Sequence, residues 1–266
     1  MKPFAHFKTQ TFAFSVFLVS SVSSAVAVSS TVSVVFAAEP EGQVQGFYNK
    51  NGKIVSATSL PEQGIGFVGL FRQRERYFGS QGLVDLIQSV ASEMSSIFPQ
   101  GERLQIGDIA AEHGGFIKGH GSHQNGLDVD IAYFRVDRKE QAKEVEGFPL
   151  QFVKDGKLTS DFDLQRNFAL LTAFMASGRV NRMFVDPVIK QEMCNYAKKE
   201  SRFDESVPLL SHLRPLENHA NHVHVRITCP KESSKCESQD EVPAQAGCDF
   251  VSLFGKAVRL KVQSEE

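Results

Sequence analysis

Five of the eight histidines in this chain fall in two short runs, GHGSHQNGLDVD at 119–130 and NHANHVHVR at 218–226. In a β-strand, residues two apart share a face. That rule puts His222, His224 and Arg226 on one face, with Val223, Val225 and Ile227 on the other. It likewise puts Asp128 and Asp130 together, opposite Val129 and Ile131. Two adjacent strands of this kind present two imidazoles and two carboxylates to one cleft. Burying such groups without partners costs several kcal/mol, and a divalent cation is the partner that best satisfies them.

Imidazole nitrogens and carboxylate oxygens are ligands that zinc accepts, and three protein ligands with one open position make a catalytic site. His123 precedes Asp130 by seven residues with Gly126 turning the chain between them, so both reach one ion, and His224 supplies the third ligand from the neighbouring strand. His120 and His219 sit in the same runs with weaker claims on the metal. His113 and His212 lack an acidic partner at a suggestive spacing and read as surface residues. A copper or nickel carrier would also gather histidines, but it would bring methionine or cysteine close by, and neither run contains one.

The elements that must position these residues are partly visible. GLVDLIQSVASEMSSIF, from Gly82 to Phe98, carries Leu83, Leu86, Ile87, Val90, Met94 and Ile97 at helical spacing and is followed by Pro99 and Gly101. A second helix is expected from Ser160 to Ser177, capped by Ser160 or Asp161, with Leu164, Phe168, Leu171, Phe174 and Met175 as its buried stripe and Gly178 ending it. Shorter extended runs, RLQIGDI, DVDIAYF, RMFVD and HVHVRIT, read as strands, and residues 39–75 as an irregular, strand-poor lead into the domain. The expected fold class is α+β, with a small antiparallel sheet carrying the metal site and helices flanking it.

The first 37 residues contain Lys2 and Lys8 but no acid and are apolar and serine-rich from Phe12 onward, the pattern of a signal peptide cleaved after Ala37 or Ala38, with the region around Ala27 as the alternative. The stretch is long enough to span a bilayer, so an uncleaved anchor is the competing reading; no later segment is. Residues 38–266 are then expected to form a single domain. Removing two lysines takes the formal charge from −2 to −4, and a weakly acidic chain argues against a nucleic-acid partner. The four cysteines, Cys194, Cys229, Cys236 and Cys248, imply disulfides in an exported chain; a four-cysteine zinc site would want shorter spacing than that between Cys229 and Cys236.

SHQNGLDVDI, RMFVDPVIKQEMC and NHANHVHVRITCP together resemble the penicillin-insensitive murein endopeptidases, within the lysostaphin, D-Ala-D-Ala peptidase and hedgehog superfamily. The likeness runs from about Gly79 to Cys248. It implies that His123, Asp130 and His224 ligate zinc, that His222 is the base or transition-state stabiliser, and that His219 is a further active-site histidine. It also implies that His120 approaches the metal as an added ligand. By the same resemblance the disulfides are Cys194–Cys248 and Cys229–Cys236. The chain departs from the family with Val223 inside the His-x-His pair and Phe162 where tryptophan often opens the second helix, changes expected to touch the cleft walls. It also lacks the cysteines of a further N- to C-terminal disulfide, which suggests looser termini.

The function implied is hydrolysis of D-alanyl to meso-diaminopimelate cross-links in periplasmic peptidoglycan by zinc-activated water, with no membrane partner once the signal is cleaved. A carboxypeptidase trimming stem peptides is the nearest rival. An inactive, zinc-stabilised binding protein is a rival of another class, but it would want a closed site and no base, whereas His219 and His222 are both present. Arg226 could hold a substrate carboxylate or form a structural salt bridge.

Overall fold

The computed structural model describes residues 43–143 and 146–249, all within one compact unit; the expected signal peptide, residues 1–37, lies outside them. The lead-in is not strand-poor. Strands β1 (Gln43–Phe47) and β2 (Lys50–Val55) form an antiparallel hairpin, and β3 (Thr58–Ser59), β4 (Gln63–Gly64), β5 (Phe67–Gly69) and β6 (Phe78–Gly79) follow before the first helix. Several of these strands are two or three residues long, too short to show alternation.

Helix α1 (Gln81–Ile97) begins where the Ser80 hydroxyl accepts from the Leu83 amide, and it buries Leu83, Leu86, Ile87, Val90 and Met94 as their spacing predicts. Ile97, expected in that stripe, is 53% exposed at the helix end. Then come β7 (Leu104–Ile106), β8 (Asp128–Ala132), and the small β9 (Val153–Lys154) and β10 (Lys157–Leu158). Helix α2 (Leu164–Ala176) starts later than expected because Asp163, not Ser160 or Asp161, caps it by accepting from the Arg166 amide. Strand β11 (Val180–Val185) leads into two helices absent from the sequence reading, α3 (Pro187–Lys199) and α4 (Phe203–His212), before β12 (Leu213–Pro215) and β13 (His222–Ile227).

The expectation of a small antiparallel sheet is corrected. The main sheet has seven strands in the order β12-β11-β13-β8-β7-β5-β4 and is mixed. Strands β5 and β7 pair in parallel, as do β11 and β12. Parallel neighbours need a crossover, supplied by α1 for one pair and by α3 and α4 for the other. The α+β class stands. At the centre, β13 and β8 are antiparallel, with His224 opposite Asp130, Arg226 opposite Asp128, and Val223 and Val225 opposite Ile131 and Val129. The apolar face of this pair joins one core with Leu83, Ile87, Phe168, Phe174, Ile189, Met193 and Leu210 of the four helices. Burial of that face fixes the register, because a one-residue slip would send the polar set inward.

Two disulfides close the C-terminal third, Cys194–Cys248 and Cys229–Cys236. Strand β1 is tied to the region after Cys229 by main-chain bonds: Gly46 N donates to Lys235 O at 2.8 Å and Glu237 N to Gly46 O at 3.0 Å, while Val44 N donates to the Ser233 hydroxyl at 3.0 Å. Hydrogen bonding thus joins the early and late described segments; the termini, for which the missing disulfide suggested looseness, lie outside the described residues.

Candidate metal centre

The polar face of β8 and β13 forms the floor of a cleft of about 840 Å³. His224 and Asp130 face each other across the strand pair, and the connection between β7 and β8 brings His123 to the same point. His123 adopts φ +65°, a left-handed conformation rare for a residue with a side chain, and Gly126 (φ +72°) completes the turn toward Asp130. Two bonds hold His123 there: its amide donates to Asp128 Oδ2 at 3.2 Å and its Nδ1 to Ile109 O at 2.6 Å. A side chain at Gly126 would meet Ile54 Cδ1 at 2.7 Å.

Three atoms converge. His123 Nε2 lies 3.3 Å from Asp130 Oδ1 and 3.3 Å from His224 Nδ1, and His224 Nδ1 lies 3.4 Å from Asp130 Oδ1. A tetrahedral ion with bonds of about 2.0–2.1 Å requires ligand edges of about 3.3–3.4 Å. The triangle therefore has the size of one face of such a tetrahedron. Asp130 Oδ1 is buried and accepts no hydrogen bond, so the donor set fits a cation.

Each imidazole has its other nitrogen anchored, as ligand histidines do. A carbonyl or carboxylate oxygen accepts, so each of these anchors assigns a proton. His123 Nδ1 donates to Ile109 O, and His224 Nε2 donates to Asp128 Oδ1 at 2.7 Å. His120 Nε2 donates to Asp108 Oδ2 at 2.9 Å, turning Nδ1 toward Asp130 Oδ2 at 3.6 Å. A second grouping, His120, His123 and Asp130, also has its ligand atoms within 4.8 Å of one another, with His120 Nδ1 3.6 Å from Asp130 Oδ2. The His224 triangle is tighter. His120 stands beside it.

His222, on the rim of the same face, has Nε2 3.6 Å from Asp130 Oδ1. His219 lies 4.9 Å from His222 between ring centres and donates from Nδ1 to Glu217 O at 2.8 Å. All five histidines of the two runs thus meet at one cleft. His113 is exposed and His212 half-buried, both away from it.

The electrostatics follow from burial and neighbours. Burial alone would disfavour a charged His123, but Asp130 and Asp128 outweigh it and raise its pKa to about 9. The position wants positive charge, a proton or a metal. Burial pushes His222 and His224 down to about 4, so both are neutral near pH 7. Asp130 is held well below the usual carboxylate range because His123 and His222 overcome its desolvation.

Arg226 is committed to structure. It is 3% exposed, donates from Nε to Asp128 Oδ1 at 2.6 Å and from Nη1 to Gln239 Oε1 at 2.6 Å, and lies 3.5 Å over the Tyr48 ring. Val223 and Phe162, expected at the cleft walls, are instead buried in the core, Phe162 against Tyr133 and Phe152. The sequence reading missed Asp108, which receives Arg74, Arg76 and His120, and Phe148, whose ring stacks on His222. A Gly-Asp at the end of RLQIGDI was the only signal for Asp108.

A mixed sheet whose polar face, with the connection before β8, gathers three anchored imidazoles around one carboxylate defines a protein able to hold a metal ion at the floor of a cleft. The model of the family described as penicillin-insensitive murein endopeptidase matches residues 44–265, and the chain belongs to that family. The penicillin-insensitive murein endopeptidase of Haemophilus influenzae is 34% identical over 211 residues, covering 74% of this chain and 68% of that protein. The protein of the same name from Escherichia coli strain K12 is 37% identical over 202 residues, covering 74% and 71%.

Proposed function

We propose that this chain is a zinc-dependent murein endopeptidase that hydrolyses the peptide cross-links of peptidoglycan, the D-alanyl to meso-diaminopimelate bond in particular. Family membership supports the reaction class. The observation that carries the metal is the buried, unpartnered Asp130 Oδ1 in a triangle with His123 Nε2 and His224 Nδ1. Those three residues would hold zinc, with His120 beside them on the open side. When bound, zinc supplies Lewis acidity, activating a water and polarising the scissile carbonyl.

The chain's own residues do the rest. Neutral His222 faces the cluster through Nε2, where it takes the proton of the attacking water and, once protonated, can donate to the developing oxyanion. His219, packed beside it, bounds the site on the same side. Water is the nucleophile, so no serine is acylated, which accounts for insensitivity to penicillin. The two disulfides fit an oxidising compartment, and among the described residues no helix is long and apolar enough to cross a membrane. With residues 1–37 read as a cleaved signal and 38–266 as the mature domain, the periplasm is the proposed location.

The test is conversion of cross-linked muropeptide dimers to monomers by the purified protein, with chelator, with zinc restored, and with His222→Ala. Cleavage lost with chelator, regained with zinc and lost in the variant supports the reading. Stoichiometric zinc binding with every dimer left intact would refute it.

A further inference from the structure

We infer that Asn221 is a positioning residue, holding the His222 imidazole in the Nδ1–H tautomer so that the Nε2 lone pair points at the Asp130 cluster. The inference deepens the proposed function and rests on it.

Asn221 Nδ2 lies 2.9 Å from the Phe148 carbonyl oxygen. A carbonyl only accepts, so the amide nitrogen must be at that end. The other end, Oδ1, then sits 2.6 Å from His222 Nδ1. An amide oxygen carries no proton, so Nδ1 must donate. In the neutral imidazole Nε2 is left bare, 3.6 Å from Asp130 Oδ1.

The anchor is itself fixed. The Phe148 ring stacks on His222 with centroids 4.9 Å apart and planes 14° apart, and meets Phe71 edge-on at 5.1 Å. It also rests on Gly107, where a Cβ would come within 2.6 Å of Phe148 Cζ. The loop carbonyl that orients Asn221 is therefore held by packing on three sides.

Only asparagine serves both ends at this reach. Aspartate accepts from Nδ1–H but cannot donate to Phe148 O, and leucine does neither. His224 is anchored by a buried carboxylate, Asp128, whereas the anchor of His222 is a neutral amide, which orients the ring without adding negative charge. A base needs its lone pair presented. A metal ligand gains from the extra charge.

The test is ¹⁵N NMR of the histidine side chains in the chelator-treated full chain, the His222 signal being identified by its absence in His222→Ala. Wild type should show protonated Nδ1 and bare Nε2. Asn221→Leu should move His222 toward the Nε2–H form, and with zinc restored its kcat on muropeptide dimers should fall roughly tenfold with KM nearly unchanged. Asn221→Asp should keep Nδ1 protonated, and it serves as the second variant if the leucine protein fails to fold. An Nε2–H signature in wild type, or an unchanged Nδ1–H signature in Asn221→Leu, overturns the inference whatever the activity. If wild type shows Nδ1–H yet cleaves no dimer, the positioning role stands and the murein reading falls.

Discussion

Replacing Asp128 should damage the fold as well as the metal centre. Its carboxylate is fully buried and receives three donors: the His123 amide, His224 Nε2 and Arg226 Nε. Asp128→Ala leaves Arg226, itself buried, as an uncompensated charge, at a cost of about 3–5 kcal/mol. For a domain of this size that corresponds to a fall in Tm of roughly 6–20 °C. The same change frees His224 and loosens His123, so zinc affinity should drop about 10- to 100-fold. Thermal unfolding by circular dichroism in chelator measures the first effect and a competitive zinc titration the second. Burial would push the Asp128 carboxyl up, but Arg226 and His224 overcome it and hold it below the usual range. A depressed carboxylate stabilises the fold above its unfolded pKa and loses that contribution as pH falls through the folded one, so Asp128→Ala should flatten the acid limb of the stability curve. A variant melting within about 2 °C of wild type in chelator would refute the reasoning.

Two further predictions concern stability. The Cys194–Cys248 bridge spans 54 residues and Cys229–Cys236 spans 7, so chain entropy ranks Cys248→Ser as the costlier change, about 4 against about 2 kcal/mol, and urea midpoints in the reverse order would count against it. Lys190 is buried on α3, donating to Leu210 O and to Ala246 O, and burial, aided by Arg214, lowers its pKa to about 7. Its unfolded form holds the proton to higher pH, so burying the charge costs stability fully below pH 7, and that cost is relieved as pH rises toward the unfolded value. Wild type should therefore gain up to about 2.7 kcal/mol between pH 7 and 9, and Lys190→Met should lack that part of the rise; equal slopes for the two proteins would sink the idea.

Much of the site was legible because its geometry is local. Alternation in DVDIA and HVHVR put Asp128 with Asp130 and His222 with His224 and Arg226, and the sheet keeps them on one face. The pairing register was not legible, nor were the anchors, because Asp108, Phe148 and Asn221 reach their partners through long-range packing. The parallel pairs were hidden for the same reason, each depending on a crossover. Helix α3 is a different kind of miss: Asp186 capping Val188 N with Pro187 in the first turn is a strong local start signal, and it was absorbed into the strand before it.

Three buried aspartates lie within 23 residues, and their neighbours decide which one a cation can claim. Asp128 is matched by Arg226, and Asp108 by Arg74 at 2.8 Å and Arg76 at 3.1 Å. Among the described residues no arginine reaches Asp130, and its buried Oδ1 faces only imidazole nitrogens, at 3.3–3.6 Å. Alternation cannot separate Asp128 from Asp130; the arginine opposite Asp128 does. The three asparagine substitutions should therefore part company. Asp130→Asn should abolish zinc stabilisation, which in wild type should reach about 2.7 kcal/mol at zinc a hundredfold above Kd, while leaving Arg226 paired. Asp128→Asn should lower the melting temperature of the chelated protein most among the three, because it strips the charge from the carboxylate that Arg226 needs. Asp108→Asn should leave the triangle intact while disturbing His120, Arg74 and Arg76, so zinc stabilisation should survive with a modest loss. Thermal scans with and without zinc on all three variants read the ranking directly. If Asp130→Asn still gains the full zinc shift, the ion is not held where the unpaired carboxylate lies.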